Sequence, residues 1–142
     1  MSDFAVSSVG VTRKNAIDAL DGYAGKELAN VETGIKAMIN KPQRNKIISS
    51  TAVEKSERNG FTVTQHYAVA ARMGKIWKHA SLVEIRADNE GDLNIASIKR
   101  FEFPIILDGK PAVAYVTAKE SVEYGHRIYS LELTEKNSPW SR

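Results

Sequence analysis

The chain has 142 residues, of which 42% are hydrophobic, and this is enough for one domain with one core but not for a second large domain. Its 20 lysines and arginines against 17 aspartates and glutamates give a net charge of +3, which permits a polyanionic partner without indicating a DNA-coating protein. The absence of cysteine excludes disulfides, thiolate zinc sites and cysteine nucleophiles, and with only three histidines we expect no metal site and no other cofactor.

The N-terminal part of the chain carries weak signals for regular structure and none for targeting. Thr12 can cap a short helix over residues 12–20, which two glycines then end. A loose alternation of apolar residues predicts a short strand or extended arm over residues 31–39 that ends at Pro42. Because we find no signal-peptide pattern and no apolar run near about 18 residues, we expect a soluble, cytoplasmic protein with no membrane partner.

The segment NKIISSTAVEKSERNGFTVTQHY, residues 45–67, is rich in hydroxyl and basic side chains. It contains a predicted helix over residues 50–59, because Thr51 and Glu54 have the spacing of a capping box and an asparagine-glycine pair stops the helix. The polar groups suit catalysis or anion binding. They also suit ordinary helix capping on a wet surface, and both interpretations remain open at this point.

A further helix is expected to begin at Thr64 as its N-cap and to run to about His79. Small and apolar residues at helical spacing form its buried stripe: Tyr67, Ala70, Ala71, Gly74 and Trp77. His66 then lies in the first turn, where backbone N–H groups and the helix dipole favour an anion and a neutral imidazole. His66 is therefore either the neighbour of a bound phosphate or a half-exposed residue with no functional role.

The last 60 residues carry strand signals. A short strand over residues 81–87 and a turn-rich segment precede three longer strands, which are predicted over 98–107, 111–120 and 127–134. Asp108-Gly109 joins the first two of these as a two-residue hairpin.

Counting outward from this turn sets the register of the hairpin. Leu107 faces Lys110, so Phe103 opposes Ala114 and Arg100 opposes Thr117. One face is then apolar: Phe101, Phe103, Ile105, Leu107, Ala112, Ala114, Val116, Tyr129, Leu131 and Leu133. Six of these residues we expect to be buried against the helix predicted to begin at Thr64: Phe101, Phe103, Ala114, Val116, Leu131 and Leu133. Tyr129 also falls on this face, so either a bulge rotates it or it is structural and Ser130 is the exposed residue. The other face carries the polar set: Arg100, Glu102, Tyr115, Thr117, Lys119, Ser130 and Glu132.

A patch on the polar face has the chemistry of phosphate binding. Arg100, Thr117, Lys119 and Ser130 supply two cations and two hydroxyls, which are groups that hold a phosphodiester and stabilise charge developing on it. The same composition is ordinary for the solvated face of an antiparallel sheet, so both interpretations stand.

Four stretches of the sequence carry a family resemblance. They are NKIISSTAVEKSERNGFTVTQHY, KHASLVEIRADNEGDLNIASIKRFEFPI, DGKPAVAYVTAKES and GHRIYSLELTE. They resemble the large polyvalent protein-associated domains of phages and conjugative elements, whose relatives are similar to phage forms of the barnase, EndoU, colicin and RelE nucleases. The resemblance covers residues 30–135, which leaves 1–29 as an N-terminal extension and 136–142 as a tail. It implies an α+β fold, with N-terminal helices packed on a small antiparallel β-sheet.

The resemblance also implies a function and a set of site residues. The function is that of a metal-independent endoribonuclease, a toxin or effector domain that acts on RNA, with tRNA as one candidate and an immunity or antitoxin protein as a further partner. His66 is then the general base or acid, and Arg100 and Lys119 stabilise the charged phosphorane. Thr117, Tyr129 and Ser130 are the hydrogen-bonding or proton-transfer partners. The residues expected to bind substrate are Lys46, Lys55, Ser56 and Tyr115. Tyr115 or Trp77 is available to stack on a base if its ring is exposed, and a place in the core is the alternative for both rings.

A non-catalytic module is the competing class. It would be an accessory domain that binds nucleic acid or protein within a larger phage or mobile-element protein, and the composition fits it as well. Incubation with RNA in the presence of a chelator separates a nuclease from a binding module.

Overall fold

The structure is a computed structural model that describes residues 4–87 and 93–136. Within these residues the chain forms five α-helices and seven β-strands, which confirms the α+β class. The helices are α1 (Arg13–Asp21), α2 (Lys41–Ile47), α3 (Ser50–Arg58), α4 (Val63–Ala70) and α5 (Met73–His79). The strands are β1 (Ala5–Val6), β2 (Leu28–Ala29), β3 (Lys36–Met38), β4 (Ser81–Arg86), β5 (Ile95–Leu107), β6 (Lys110–Ser121) and β7 (Gly125–Glu135). No helix in this part of the chain is long and apolar enough to cross a membrane.

The strands form one mixed sheet in the order β1-β5-β6-β7-β3-β2, with β4 also paired to β5. Strands β4 to β7 are antiparallel neighbours, whereas β1 pairs parallel with β5 and β3 pairs parallel with β7. The prediction of a purely antiparallel sheet is therefore wrong. Its error lies in the short strands β1 and β3, which are separated from their partners by helices and so can join them only through long crossover connections.

The β5–β6 hairpin has the predicted register. Asp108 and Gly109 both have positive φ, 49° and 83°, as a two-residue hairpin turn of this type requires. Leu107 pairs with Lys110, Phe103 with Ala114 and Arg100 with Thr117, as counted from the sequence. The turn therefore fixes which side chains lie on each face along more than ten residues of both strands.

The first helices begin close to where the sequence places them. Thr12 caps α1, with its hydroxyl accepting a hydrogen bond from the Asn15 N–H at 3.1 Å. Helix α3 has the predicted extent, but its cap is Ser49 and not Thr51, because the Ser49 hydroxyl accepts from the Ala52 N–H at 3.2 Å. Pro42 does not end an extended segment but lies in the first turn of α2.

The single helix predicted from Thr64 to His79 is wrong, because the segment forms the two helices α4 and α5. Its cap is Thr62, whose hydroxyl accepts from the Gln65 N–H at 3.0 Å. At the end of α4 the Arg72 N–H bonds the Val69 carbonyl three residues back, which tightens the last turn and ends the helix. The apolar stripe read as one helix face is thus divided between two helices.

The core lies between the helices and the apolar face of the sheet. Trp77 of α5 contacts Phe101 of β5 edge to face, with ring centroids 4.5 Å apart, and both side chains are fully buried. Five of the six core residues expected on this face are buried: Phe101, Ala114, Val116, Leu131 and Leu133. Phe103 is only half-buried, and its ring centroid lies 5.4 Å from that of Phe4.

The N-terminal segment is part of the same core. Ala16 and Leu20 of α1 are fully buried, and β1 joins the edge of β5. Residues 4–29, which the sequence treats as an extension, therefore pack with the rest of the described chain.

Substitution of Phe101 should destabilise the protein more than substitution of Phe103. We expect Phe101→Ala to lower the free energy of unfolding by about 3–5 kcal/mol, because it removes a fully buried ring and leaves a cavity beside Trp77. Phe103→Ala should cost about half as much. Urea unfolding measures both changes, provided that the variants have the same m-value as the wild type. Equal losses of unfolding free energy for the two variants would contradict the difference in burial.

Candidate functional site

A cleft of about 350 Å³ separates the α2–α3 corner from the polar face of the sheet. The helical side contributes Lys46, Ser49, Thr51, Ala52 and Lys55. The sheet side contributes Arg86, Arg100, Thr117, Tyr129, Ser130, Leu131 and Glu132. The structure therefore brings together six of the ten residues predicted for the site: Lys46, Lys55, Arg100, Thr117, Tyr129 and Ser130.

The pairing of the strands accounts for the sheet side of the cleft. Arg100 of β5, Thr117 of β6 and Ser130 of β7 lie directly opposite one another in neighbouring strands. Residues that are opposed in this way point to the same face of a sheet. A cation and two hydroxyls thus form one row across three strands.

The helical side is held by the cap of α3. The Ser49 hydroxyl donates to the Lys46 carbonyl at 2.9 Å while it accepts from the Ala52 N–H. These two bonds fix the corner between α2 and α3. Lys46 lies in the last turn of α2 and Lys55 in the last turn of α3, and both side chains line the cleft.

Tyr129 reaches the cleft through a β-bulge. Thr117 pairs with Ser130 and the next residue, Ala118, pairs with Ile128, so Tyr129 is an extra residue in β7. Regular alternation would place it on the apolar face, but the bulge turns it toward the cleft. The Lys119 Nζ lies 4.3 Å from the centroid of its ring, which places Lys119 at the border of the cleft.

The cleft is electropositive. Lys46, Lys55, Arg86 and Arg100 line it, against the single carboxylate of Glu132. The Arg100 Nη2 lies 3.7 Å from the Glu132 Oε1, and the Glu132 Oε2 accepts from the Asn59 amide at 3.0 Å. Within the part of the chain that the structure describes, Lys46 and Lys55 form no ion pair, so an anion entering the cleft meets cations that are not neutralised locally.

His66 does not belong to the cleft. Its side chain is fully buried, with Nδ1 2.8 Å from the Ser56 hydroxyl and Nε2 2.9 Å from the Ile47 carbonyl. Because a carbonyl can only accept, Nε2 carries the proton and Nδ1 accepts from the serine. Burial lowers the pKa of His66, and the hydrogen bond to the Ile47 carbonyl opposes this shift. The expectation of a half-exposed histidine is wrong, because the α2–α3 corner packs over this part of α4.

Ser56, predicted to bind substrate, does not line the cleft either, for the same reason. It is fully buried on α3, and its hydroxyl also accepts from the Leu133 N–H of β7 at 3.2 Å. Its neighbour Lys55 lies on the exposed side of the helix and lines the cleft.

Of the two alternatives for Tyr115 and Trp77, base stacking and a place in the core, the structure shows burial for both side chains. Tyr115 is 2% exposed on the central strand β6, beneath the Arg100 guanidinium, whose Cζ lies 4.4 Å from the ring centroid. Burial raises the pKa of its phenol. Trp77 is fully buried in the core, where its indole N–H donates to the Leu28 carbonyl at 2.7 Å.

Six residues that line the cleft were not predicted as site residues from the sequence: Ser49, Thr51, Ala52, Arg86, Leu131 and Glu132. Arg86 pairs with Ile98 across the β4–β5 ladder. The register of that ladder depends on the turn-rich segment 88–94, of which residues 88–92 lie outside the described part. No two-residue turn signal fixes its length, so counting could not place Arg86.

A second polar cluster lies on the opposite face of the sheet. The Lys99 Nζ donates to the Ser97 hydroxyl at 2.8 Å, to the Glu120 Oε1 at 3.1 Å and to the His126 Nε2 at 2.9 Å. All three ammonium hydrogens are thus used. Burial and the nearby Lys99 lower the pKa of His126, while Glu120 opposes the shift. This cluster closes one end of the core.

These features define an α+β domain with a basic cleft between a helical corner and one face of its sheet. The sequence model for the large polyvalent protein-associated domain 3 matches residues 9–129, and the chain therefore belongs to this family. The match spans α1 to the bulge in β7 and includes most of both cleft walls. No curated protein and no solved structure gives a significant match.

Replacement of His66 should damage the fold directly. We expect His66→Ala to lower the free energy of unfolding by more than about 2 kcal/mol, because it leaves the Ser56 hydroxyl and the Ile47 carbonyl without their partner and opens a cavity. Chemical denaturation measures this change, and Lys55→Ala on the exposed side of α3 is the control that should leave stability nearly unchanged. A small effect of His66→Ala would contradict the packing described.

The stability of the protein should fall as the pH drops below the ordinary pKa of histidine. Because the folded-state pKa of His66 is lowered from 6.5, the unfolded chain takes up the proton first. The stabilising contribution is complete above about pH 6.5 and is lost as the pH falls toward the folded-state pKa. Urea unfolding between about pH 7.5 and 5.5 should show a shallower decline for His66→Gln than for the wild type. His126→Gln is the matched variant for the other histidine with a lowered pKa.

Proposed function

We propose that the cleft binds the phosphate backbone of single-stranded RNA. The observation that carries this proposal is the lining itself: four cations face one carboxylate, and hydroxyl groups lie beside them. Lysine and arginine bind phosphates through charge-assisted hydrogen bonds, and the planar guanidinium can bind two oxygens at once. The site is thus suited to a chain of phosphates.

The size and the hydroxyl groups of the cleft favour single-stranded RNA over other polyanions. A volume of about 350 Å³ is close to the lower end of ligand pockets, so the cleft takes a nucleotide-sized segment and not a duplex. Thr117, Ser130 and Thr51 offer hydrogen bonds to 2′-hydroxyl groups, which distinguish RNA from DNA. We therefore expect tighter binding of an RNA oligonucleotide than of the DNA of the same sequence.

Removal of either cleft lysine should weaken RNA binding and its salt dependence. For Lys46→Ala and Lys55→Ala, the slope of log affinity against log salt should decrease by about 0.7 for each phosphate that the variant no longer neutralises. Lys110→Ala is the control of equal charge, because Lys110 lies seven residues along β6 from Thr117, roughly 23 Å away. Fluorescence anisotropy with a labelled single-stranded RNA at several salt concentrations measures the slopes. Equal slopes for all three variants would exclude the cleft as the binding site.

Cleavage of the bound RNA is the second candidate function. The resemblance to the barnase, EndoU, colicin and RelE nucleases supports it, and so do the two proton-transfer groups in the cleft, Tyr129 and Glu132. Since His66 is buried, the proton transfers fall to these residues. The Glu132 carboxylate takes the 2′-hydroxyl proton as O2′ attacks phosphorus, and Tyr129 protonates O5′ as the P–O5′ bond breaks. Arg100 stabilises the phosphorane charge, and the products are a 2′,3′-cyclic phosphate and a 5′-hydroxyl.

Conservative substitutions test the cleavage hypothesis. If it is correct, wild-type protein cuts RNA in the presence of EDTA, and Glu132→Gln and Tyr129→Phe each lower the rate by about 10²–10⁴-fold while RNA binding is retained. A substrate with 2′-deoxyribose at the cleaved position should resist cleavage. Intact RNA with the wild-type protein would reject cleavage and leave the binding proposal standing.

A further inference from the structure

A second row of cations crosses the sheet beside the cleft. Arg86, Ile98, Lys119 and Arg127 lie directly opposite one another on the four adjacent strands β4, β5, β6 and β7. They share the face that carries Arg100, and the row lies two residues along the strands, about 7 Å, from the row of Arg100. We call Arg86, Lys119 and Arg127 the basic row.

This arrangement is unfavourable without an anion. Lys119 and Arg127 are directly opposed, and like charges at such positions destabilise a sheet. In the described residues neither forms an ion pair, and the buried Nε of Arg127 has no hydrogen-bond partner there. The two cations therefore lie side by side with unused capacity to bind a phosphate.

Each of these two cations lies over a tyrosine ring. Lys119 covers Tyr129 in the cleft, and the Arg127 Cζ lies 4.9 Å from the centroid of Tyr124. Tyr124 is in the turn between β6 and β7 and is 60% exposed, which is high for a large aromatic side chain. An exposed aromatic ring beside a cation is a typical stacking platform for a base of a single strand.

We propose that the basic row and Tyr124 form a second subsite for single-stranded RNA. The cleft holds one phosphate, Lys119 and Arg127 bind the next phosphate along the chain, and a base stacks on Tyr124. Tyr129 borders both subsites, so the strand passes across its ring. This inference rests on the proposed RNA binding of the cleft and extends it to a ligand of several nucleotides.

If Tyr124 stacks on a nucleotide base, binding requires a ligand with bases, and this requirement separates the proposal from simple charge attraction. An acidic protein would also be drawn to the basic row, but it would gain little from the ring of Tyr124. The decisive ligands are therefore a uridine decamer and an abasic decamer of equal charge, together with a phosphorylated uridine dinucleotide that fills the cleft alone. A peptide of ten aspartates serves as the competing polyanion.

The experiment compares Tyr124→Leu and Arg127→Gln with the wild-type protein. Val122→Ala in the same exposed turn and Lys110→Ala at the far end of β6 are the controls. We expect Tyr124→Leu to weaken binding of the uridine decamer by about 5- to 100-fold and to leave dinucleotide binding unchanged. Arg127→Gln should reduce the salt slope for the decamer by about 0.7. The controls should bind both ligands like the wild type.

The outcomes separate the two proposals. If Lys55→Ala weakens both RNA ligands but Tyr124→Leu and Arg127→Gln weaken neither, the second subsite is wrong and the cleft function stands. If the abasic decamer or the aspartate peptide binds as tightly as the uridine decamer, the row recognises charge alone and the assignment to RNA bases is overturned. If the wild-type protein binds neither RNA ligand, both proposals fail.

Discussion

The cleft depends on one buried group of hydrogen bonds centred on His66. The imidazole joins the end of α2, through the Ile47 carbonyl, to Ser56 of α3, and Ser56 in turn binds the Leu133 N–H of β7. A neutral histidine is the only common side chain that donates on one side of a flat ring and accepts on the other. It therefore satisfies polar groups of α2 and α3 at once, and Ser56 extends the hydrogen bonds to β7, inside a region where an unpaired group is costly.

Because of this packing, the hydroxyl and the basic side chains of the hydroxyl-rich segment, residues 45–67, have different roles. Helix α3 turns Ser56 toward β7 and its neighbour Lys55 toward the cleft, so one face of the helix holds the fold and the other carries charge. Ser49 similarly uses its hydroxyl to fix the corner that presents Lys46. Three of the segment's six serine and threonine hydroxyls, those of Ser49, Ser56 and Thr62, thus act in capping and packing, and its two lysines line the cleft.

The sheet supplies the other wall and concentrates positive charge on one face. Two adjacent rows of side chains cross strands β4 to β7, and they include four cations: Arg86, Arg100, Lys119 and Arg127. Tyrosine rings lie beneath three of them, which lessens the repulsion between neighbouring cations. Arg86 and Arg100 also pair with Glu84 and Glu132, whereas Lys119 and Arg127 form no ion pair with the described residues. The domain thereby keeps a local positive surface although its net charge is only +3.

The sequence by itself determined the long hairpin and, through it, much of the sheet wall. Asp108-Gly109 allows one tight turn, and the alternation of side chains then fixes that Arg100 and Thr117 share a face, because a strand repeats every two residues. It also determined α1 and α3. Only the tertiary structure decided the features that depend on packing between distant segments. These are the burial of His66, Ser56 and Tyr115 and the break between α4 and α5. They also include the bulge that turns Tyr129 toward the cleft and the position of Arg86 of β4 in the cleft lining. Local sequence patterns predict which residues can share one face of a helix or strand. Whether that face contacts water or another secondary-structure element is set by the packing of segments far apart in the chain.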